Sequence, residues 1–170
     1  AFDVNTTGSY NVAVGKHSLG ANTTANNNVA VGYESLNAVT TGEQNVAVGA
    51  YSNDTNSTGN HNISVGYQSL FSNTASNNTA LGHVAMYANT TGTSNVAVGY
   101  AALDANTTGA SNTAVGSSTL RANTTGYENA AFGKSAGNAL TTGARNTCIA
   151  TTAPVSTGNY NLLLGFNAGE

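Results

Sequence analysis

The sequence predicts an all-β parallel solenoid, because one Asn returns along the whole chain at a nearly constant spacing. The interval is 17 residues, except for one of 16 and one of 15. The ten positions are Asn11, Asn28, Asn45, Asn62, Asn78, Asn95, Asn112, Asn129, Asn146 and Asn161. A glycine stands four residues after all but one of them, and Ala150 takes its place in the ninth repeat. Self-similarity of this regularity indicates about ten stacked 17-residue coils, that is, a β-roll.

Each repeat opens with a short apolar segment whose alternation predicts a β-strand. In the first repeat, Val12 and Val14 would lie on one face and Ala13 on the other, because successive strand side chains point to opposite sides. The third position after the Asn is apolar in every repeat, as at Val14 and Val98. We therefore predict that this third column forms the core. The middle column is small in all repeats but the last.

A second short strand is predicted after the glycine, with Leu19 and its equivalents on one face and an alanine two residues later on the same face. The two strands of one coil would then face each other across the core. Stacking them gives parallel sheets with strands about 4.8 Å apart, and a rod of roughly 48 Å for ten coils. Helix is disfavoured, since Asn, Thr and Gly are weak helix formers and no apolar period near 3.6 is present.

Two corners separate the predicted strands. The glycine column predicts the first, since a residue without a Cβ turns freely through positive φ. Its members are Gly15, Gly32, Gly49, Gly66, Gly82, Gly99, Gly116, Gly133 and Gly165. The Asn-Thr-Thr-Gly segment, intact for example at residues 106–109, predicts the second, because its side chains bond to nearby backbone.

The Asn column is interpreted as a structural ladder. Asn is unfavourable in strands, yet no repeat replaces it. Stacked identical amides hydrogen-bond to one another along the axis of a stack of strands. A binding role for this column is the alternative.

The whole chain, residues 1–170, is predicted to be a single repeat domain without a linker, and no capping segment is visible in the sequence. Residues 1–8 align with residues 102–109, so the sequence starts and stops in the middle of a coil. An exposed sheet end invites pairing with another chain. We therefore expect an end-to-end interface. The residues assigned to it are Ala1, Phe2, Val4, Leu162, Leu163, Leu164, Phe166 and Ala168.

The composition argues against an enzyme and against a nucleic-acid binder. Charged residues make up 6% of the chain, the net charge is −3, and the four Lys and Arg residues are scattered, so no basic patch is predicted. The three histidines fall in different columns, the acidic residues are dispersed, and Cys148 has no second cysteine to pair with. We expect no catalytic site, metal or cofactor. No apolar run of about 18 residues exists, so no membrane insertion is expected.

A sparse aromatic stripe follows the glycine column. Tyr33, Tyr67 and Tyr100 occupy the position after the glycine, as do His83 and Phe166. Rings on a rod surface either cover a corner or stack on sugars or on a neighbouring rod. These tyrosines are therefore candidate surface-binding residues, with surface glycans as one partner.

The NVAVG and NTAVG segments, followed by a short Ser/Ala/Leu stretch, resemble the head repeats of trimeric autotransporter adhesins. The resemblance spans all ten repeats, and similar repeats occur in phage tail fibres and other surface fibres. It implies a left-handed parallel β-roll, a location on a cell or virion surface, and assembly into homotrimers.

Three functional hypotheses follow. The first is a non-enzymatic structural subunit of an extracellular fibre, built by head-to-tail stacking of copies and with a potential adhesive role. The second is a receptor-binding or shaft segment of a trimeric adhesin or phage tail fibre, in which the small Ala column would face the other two chains. The third is ice binding by regular Thr ladders.

Overall fold

The computed structural model describes residues 1–150 and 156–165, and in this range the chain forms one parallel β-solenoid. Each coil contributes a single three-residue strand, and the ten strands form one sheet in sequence order. The strands are β1 Val12–Val14, β2 Val29–Val31, β3 Val46–Val48, β4 Ile63–Val65, β5 Thr79–Leu81, β6 Val96–Val98, β7 Thr113–Val115, β8 Ala130–Phe132, β9 Thr147–Ile149 and β10 Leu162–Leu164. The predicted fold class, an all-β parallel solenoid with a spacing of about 17 residues, is confirmed.

The register of the sheet follows the sequence repeat. Ala97 of β6 pairs with Ala114 of β7, and Val98 pairs with Val115, so each column of the repeat becomes a straight row along the rod. The backbone of Val96 donates to the carbonyl of Asn112 at 2.8 Å, and Gly116 donates to the carbonyl of Val98 at 2.7 Å. Such regular bonds between coils replace the local contacts that a single coil lacks.

The predicted facing of the strands is wrong. The middle residue of the strand points into the coil, and Ala97 and Ala114 are fully buried. The third residue points outward, with Val14 56% exposed and Phe132 42% exposed. The physical reason is the small volume inside a coil of 17 residues. The leucines of the wall opposite the strand already fill much of that interior. Only small residues then fit on the inner face of the strand.

The predicted second strand is also wrong, although its apolar column is buried. The segment after the glycine is a turn in which alternate residues have positive φ, such as His17 at 57° and Leu19 at 49°. Leu103 and its equivalents still project into the coil and are fully buried against the alanines of the strand. The structure therefore has one sheet, and its opposite wall is a stack of turns.

The glycine column occupies the turn that follows each strand. Gly99 has a φ of 132°, a region that L side chains rarely adopt. A Cβ at this position would lie 2.5 Å from the carbonyl oxygen of Gly116 in the next coil. Glycine is thus needed here both for the turn and for the close approach of neighbouring coils.

Polar side chains interrupt the apolar interior between the third and fifth strands. One apolar cluster contains Leu19 and Leu36, and a second begins at Leu70. Between them Asn53 occupies the leucine column, and the hydroxyl of Ser52 donates to the hydroxyl of Ser64 at 2.7 Å. The described core therefore consists of two apolar blocks separated by a polar layer.

Candidate interaction surfaces

The most extensive candidate surface is the outer face of the sheet, which carries two parallel rows of side chains. We call the row of first strand residues the proximal column. It contains Val12, Val29, Val46, Ile63, Thr79, Val96, Thr113, Ala130, Thr147 and Leu162. We call the row of third strand residues the distal column. It contains Val14, Val31, Val48, Val65, Leu81, Val98, Val115, Phe132, Ile149 and Leu164.

The two columns form a largely apolar face, with three threonines, Thr79, Thr113 and Thr147, and no charged residue. Large side chains on it remain exposed, for example Ile63 at 43% and Ile149 at 41%. Ten strands of three residues give a face of about 48 Å by about 10 Å, or roughly 480 Å². This area falls within the range of the largest apolar patch on a typical monomer, about 300–600 Å², and such patches often have a function.

The Asn column lies inside the corner before each strand. The side-chain oxygen of Asn95 accepts the backbone N–H of Asn112 at 2.9 Å and its side-chain amide at 3.1 Å. The amide of Asn112 also donates to the carbonyl of Gly126 at 2.8 Å. The same pattern recurs along the column, and Asn28 to Asn112 are fully buried. These side chains join neighbouring coils and offer no surface for a ligand.

A second Asn ladder, which the sequence analysis missed, runs through the Asn-Thr-Thr-Gly corner. Asn106 donates to the side-chain oxygen of Asn89 at 2.7 Å and to the carbonyl of Gly109 at 3.0 Å. Val39 and Leu140 occupy the same column and interrupt the ladder. Its members are Asn5, Asn22, Asn56, Asn73, Asn89, Asn106 and Asn123. The Asn that recurs at the start of this motif is the feature of the sequence that indicates the second ladder.

The predicted aromatic stripe exists as a row of rings that pack on one another. Tyr67 stacks on His83 with ring centroids 5.3 Å apart and planes at 23°, and His83 stacks on Tyr100 at 5.6 Å and 21°. Tyr33 instead meets Tyr51 edge to face at 5.3 Å. Where rings stack along the rod, their faces contact neighbouring rings and their edges face solvent. This geometry favours a role in covering the corner over the stacking of sugars.

Phe71 and Tyr87 add a second, shorter aromatic row that the sequence analysis missed. Their rings stack at 5.2 Å with planes at 6°. They are separated by 16 residues because they lie in the one interval of that length. The regular spacing of 17 therefore did not show that they share a column.

The largest charged cluster among the described residues is centred on Arg145. Its guanidinium donates to Glu128 at 2.7 Å and to the Tyr160 hydroxyl at 2.6 Å, and it lies over the Tyr127 ring at 5.2 Å. The bonds to Glu128 and Tyr160 raise the pKa of Arg145. Every member is an exposed side chain paired with its neighbours, so the cluster links the last described coils.

The residues assigned to an end-to-end interface differ in burial and in the face of the coil on which they lie. Phe2 packs partly buried against the first apolar block, and Val4 is half exposed. Leu163 points into the last coil, whereas Leu162 and Leu164 lie on the outer face of the sheet. Ala1 is exposed and ion-pairs through its N-terminus with Asp3 at 3.6 Å. Phe166 and Ala168 lie outside the described residues.

Within the described ranges there is no pocket and no group of three His, Cys, Asp or Glu side chains able to hold a metal ion. The described part of the chain also contains no helix of the length and apolarity that a membrane crossing requires. Cys148 is buried, and burial raises the pKa of its thiol.

These features define the chain as a β-solenoid repeat protein with an uncharged apolar sheet face. Comparison with protein-family models, with curated proteins and with solved structures finds no match. The similarity to adhesin head repeats therefore remains a resemblance carried by the repeat motif.

Proposed function

We propose that this chain is a non-enzymatic structural segment of an extracellular fibre on a cell or virion surface, in which copies associate side by side through the outer face of the sheet. The observation that carries the proposal is the uncharged double row of apolar side chains along the sheet. This observation favours the multichain shaft of the second sequence hypothesis over a fibre held only by head-to-tail contacts.

The periodicity of the face indicates which partner it suits. Its side chains repeat at the coil rise of about 4.8 Å over ten coils. A surface that interdigitates with it over the same length needs the same rise. A second copy of this chain has the same rise because it consists of the same coils. It also has no charged residue in the two columns that the contact would leave unpaired. A homo-oligomer is therefore the assembly that the face fits.

The area is sufficient for a specific contact. About 480 Å² on each copy corresponds to roughly 1,000 Å² over two copies, which is near the lower limit for a biological interface. In a homotrimer each copy would use one column against each neighbour, so each of the three contacts would bury about half of that area. The alanine column, which the sequence hypothesis assigned to contacts between chains, instead fills the interior of each coil.

The ice-binding hypothesis gains less support from the geometry. Thr107 bonds through its hydroxyl to the backbone of the next coil at 3.1 Å, which leaves Thr108 as the exposed row of that corner. The outer sheet face carries Leu81 and Phe132 beside smaller residues, so it is not flat. A regular lattice of hydroxyls is thus limited to a single row.

The proposal predicts that a charge on the sheet face prevents association. In Val48→Glu, a carboxylate would enter the apolar contact, where an unpaired charge costs several kcal/mol, so we expect an association constant at least about 100-fold lower. Sedimentation equilibrium measures it, with circular dichroism to show that the coils stay folded. Thr108→Glu, on an exposed corner away from the sheet face, is the matched control and should associate like the wild type.

Two outcomes would contradict the proposal. One is a wild-type chain that stays monomeric at high concentration. The other is an unchanged association constant for Val48→Glu, which would show that the copies meet through another surface.

A further inference from the structure

In three coils, those of β5, β8 and β9, a large side chain in the distal column shares its strand with a smaller one in the proximal column. Phe132, the largest residue of the distal column, shares its strand with Ala130, the smallest residue of the proximal column. Leu81 and Ile149 likewise share strands with threonines, at Thr79 and Thr147. The exceptions are β4, in which Ile63 stands beside Val65, and β10, in which both outer residues are leucines. In the single chain the ring of Phe132 is 42% exposed, so a large side chain beside an alanine leaves a step on the outer face.

Matching within one coil becomes useful when copies stand side by side at the same level. A rotation about an axis parallel to the rods brings the proximal column of one copy against the distal column of the next, coil for coil. Phe132 of one copy then meets Ala130 of its neighbour. With two flush antiparallel rods, β8 would meet β3 and Phe132 would face Val46 or Val48. A shift of one coil would place it against Thr113 or Thr147.

Resting on the proposed lateral assembly, we infer that the copies align parallel and in register, and that Ala130 and Phe132 determine this register. The partner is a second copy of the same chain. Nearly identical coils such as β1, β2, β3 and β6, all Val-Ala-Val, would permit sliding by one or more coils. An oversized ring that fits only above an alanine penalises every shifted arrangement, because overpacking at a contact is destabilising.

The test is an exchange of the two residues. Phe132→Ala leaves a void at the contact and Ala130→Phe places two rings at one level, so each should lower the association constant about tenfold or more. The double variant Ala130→Phe/Phe132→Ala again pairs one ring with one alanine at each level. We expect its association constant to return close to the wild-type value. All three variants should remain folded in dilute monomeric solution, because both positions lie on the outer face of the sheet.

A second measurement reports the alignment directly. Donor and acceptor dyes of a pair whose energy transfer is efficient only over distances much shorter than the rod are attached in separate preparations to Thr7→Cys, an exposed position near one end of the rod, and the preparations are mixed. Parallel, in-register copies bring the dyes together and give strong energy transfer. Antiparallel copies separate them by most of the rod, about 40 Å or more.

The two measurements separate the inference from the proposed function. If the wild type and Val48→Glu behave as proposed but the double variant is as weak as the combined single variants, or the dyes show no transfer, the register inference is overturned alone. If the wild type is monomeric, both fail.

Discussion

Replacing Asn95 with Ala is expected to lower the free energy of unfolding by about 3 kcal/mol or more, since the buried backbone N–H of Asn112 is left without an acceptor, at about 1–3 kcal/mol, and three further hydrogen bonds of the Asn95 side chain are lost. Without the side-chain oxygen of Asn95, the backbone N–H of Asn112 has no acceptor at 2.9 Å. Without its amide, the carbonyl of Gly109 loses a donor at 2.8 Å. Asn95 is fully buried, so these groups are not in contact with bulk water.

Urea denaturation followed by circular dichroism measures this loss, and hydrogen exchange shows where it occurs. Protection should fall in the coils on both sides of Asn95, because each coil is held by its neighbours. Thr108→Ala, in the same coil and exposed, is the control and should change the free energy of unfolding by about 0.5 kcal/mol or less. An equally small effect of Asn95→Ala would contradict a structural role for the ladder.

The second large effect is expected for Leu103→Asp. Leu103 is fully buried among the alanines of the coil interior. A carboxylate there would lose its hydration with no charge to pair with, at a cost of several kcal/mol. We expect the coils around Leu103 to unfold in dilute solution, with the loss of β-sheet signal in circular dichroism as the readout.

Val98→Asp is the matched comparison, because Val98 lies only five residues earlier but on the outer face. Its carboxylate can reach water, so the isolated chain should remain folded. The measurement is made at a dilution at which the chain is monomeric, so that the loss of contacts between copies does not enter. Equal destabilisation by both variants would mean that Val98 also faces a core and that the described facing is wrong.

The contrast between Val98 and Leu103 also shows what the sequence could predict. The spacing of the Asn and Gly columns was sufficient for the period, the first strand of each coil and the turn at Gly99, because these depend on backbone hydrogen bonding and on the conformation of single residues. The inward column could not be derived from hydrophobicity, since both outer columns are mostly apolar. What selects it is the width of the coil, a property of the closed turn as a whole.

The small residues of the middle column indicate that this column faces the interior, which is the opposite of the predicted facing. Ala, Ser and Cys at this position mark a confined interior, whereas the distal column accepts Val, Leu and Phe because it lies on the outer face. The turn that replaces the predicted second strand had no such signal. Leucine rarely adopts positive φ, so Leu19 and Leu36 at 49° could not be anticipated from their residue type.

Protection of the sheet face on association is the measurement that most directly tests this account. Val65→Cys places a thiol on the distal column at a position 39% exposed in the single chain. The account predicts that maleimide modifies this thiol rapidly in dilute solution and slowly at concentrations at which copies associate. Thr108→Cys should react rapidly at both concentrations, and the buried Cys148, whose pKa is raised by burial, should react slowly throughout. Rapid modification of Val65→Cys in solutions shown to contain associated chains would contradict the account.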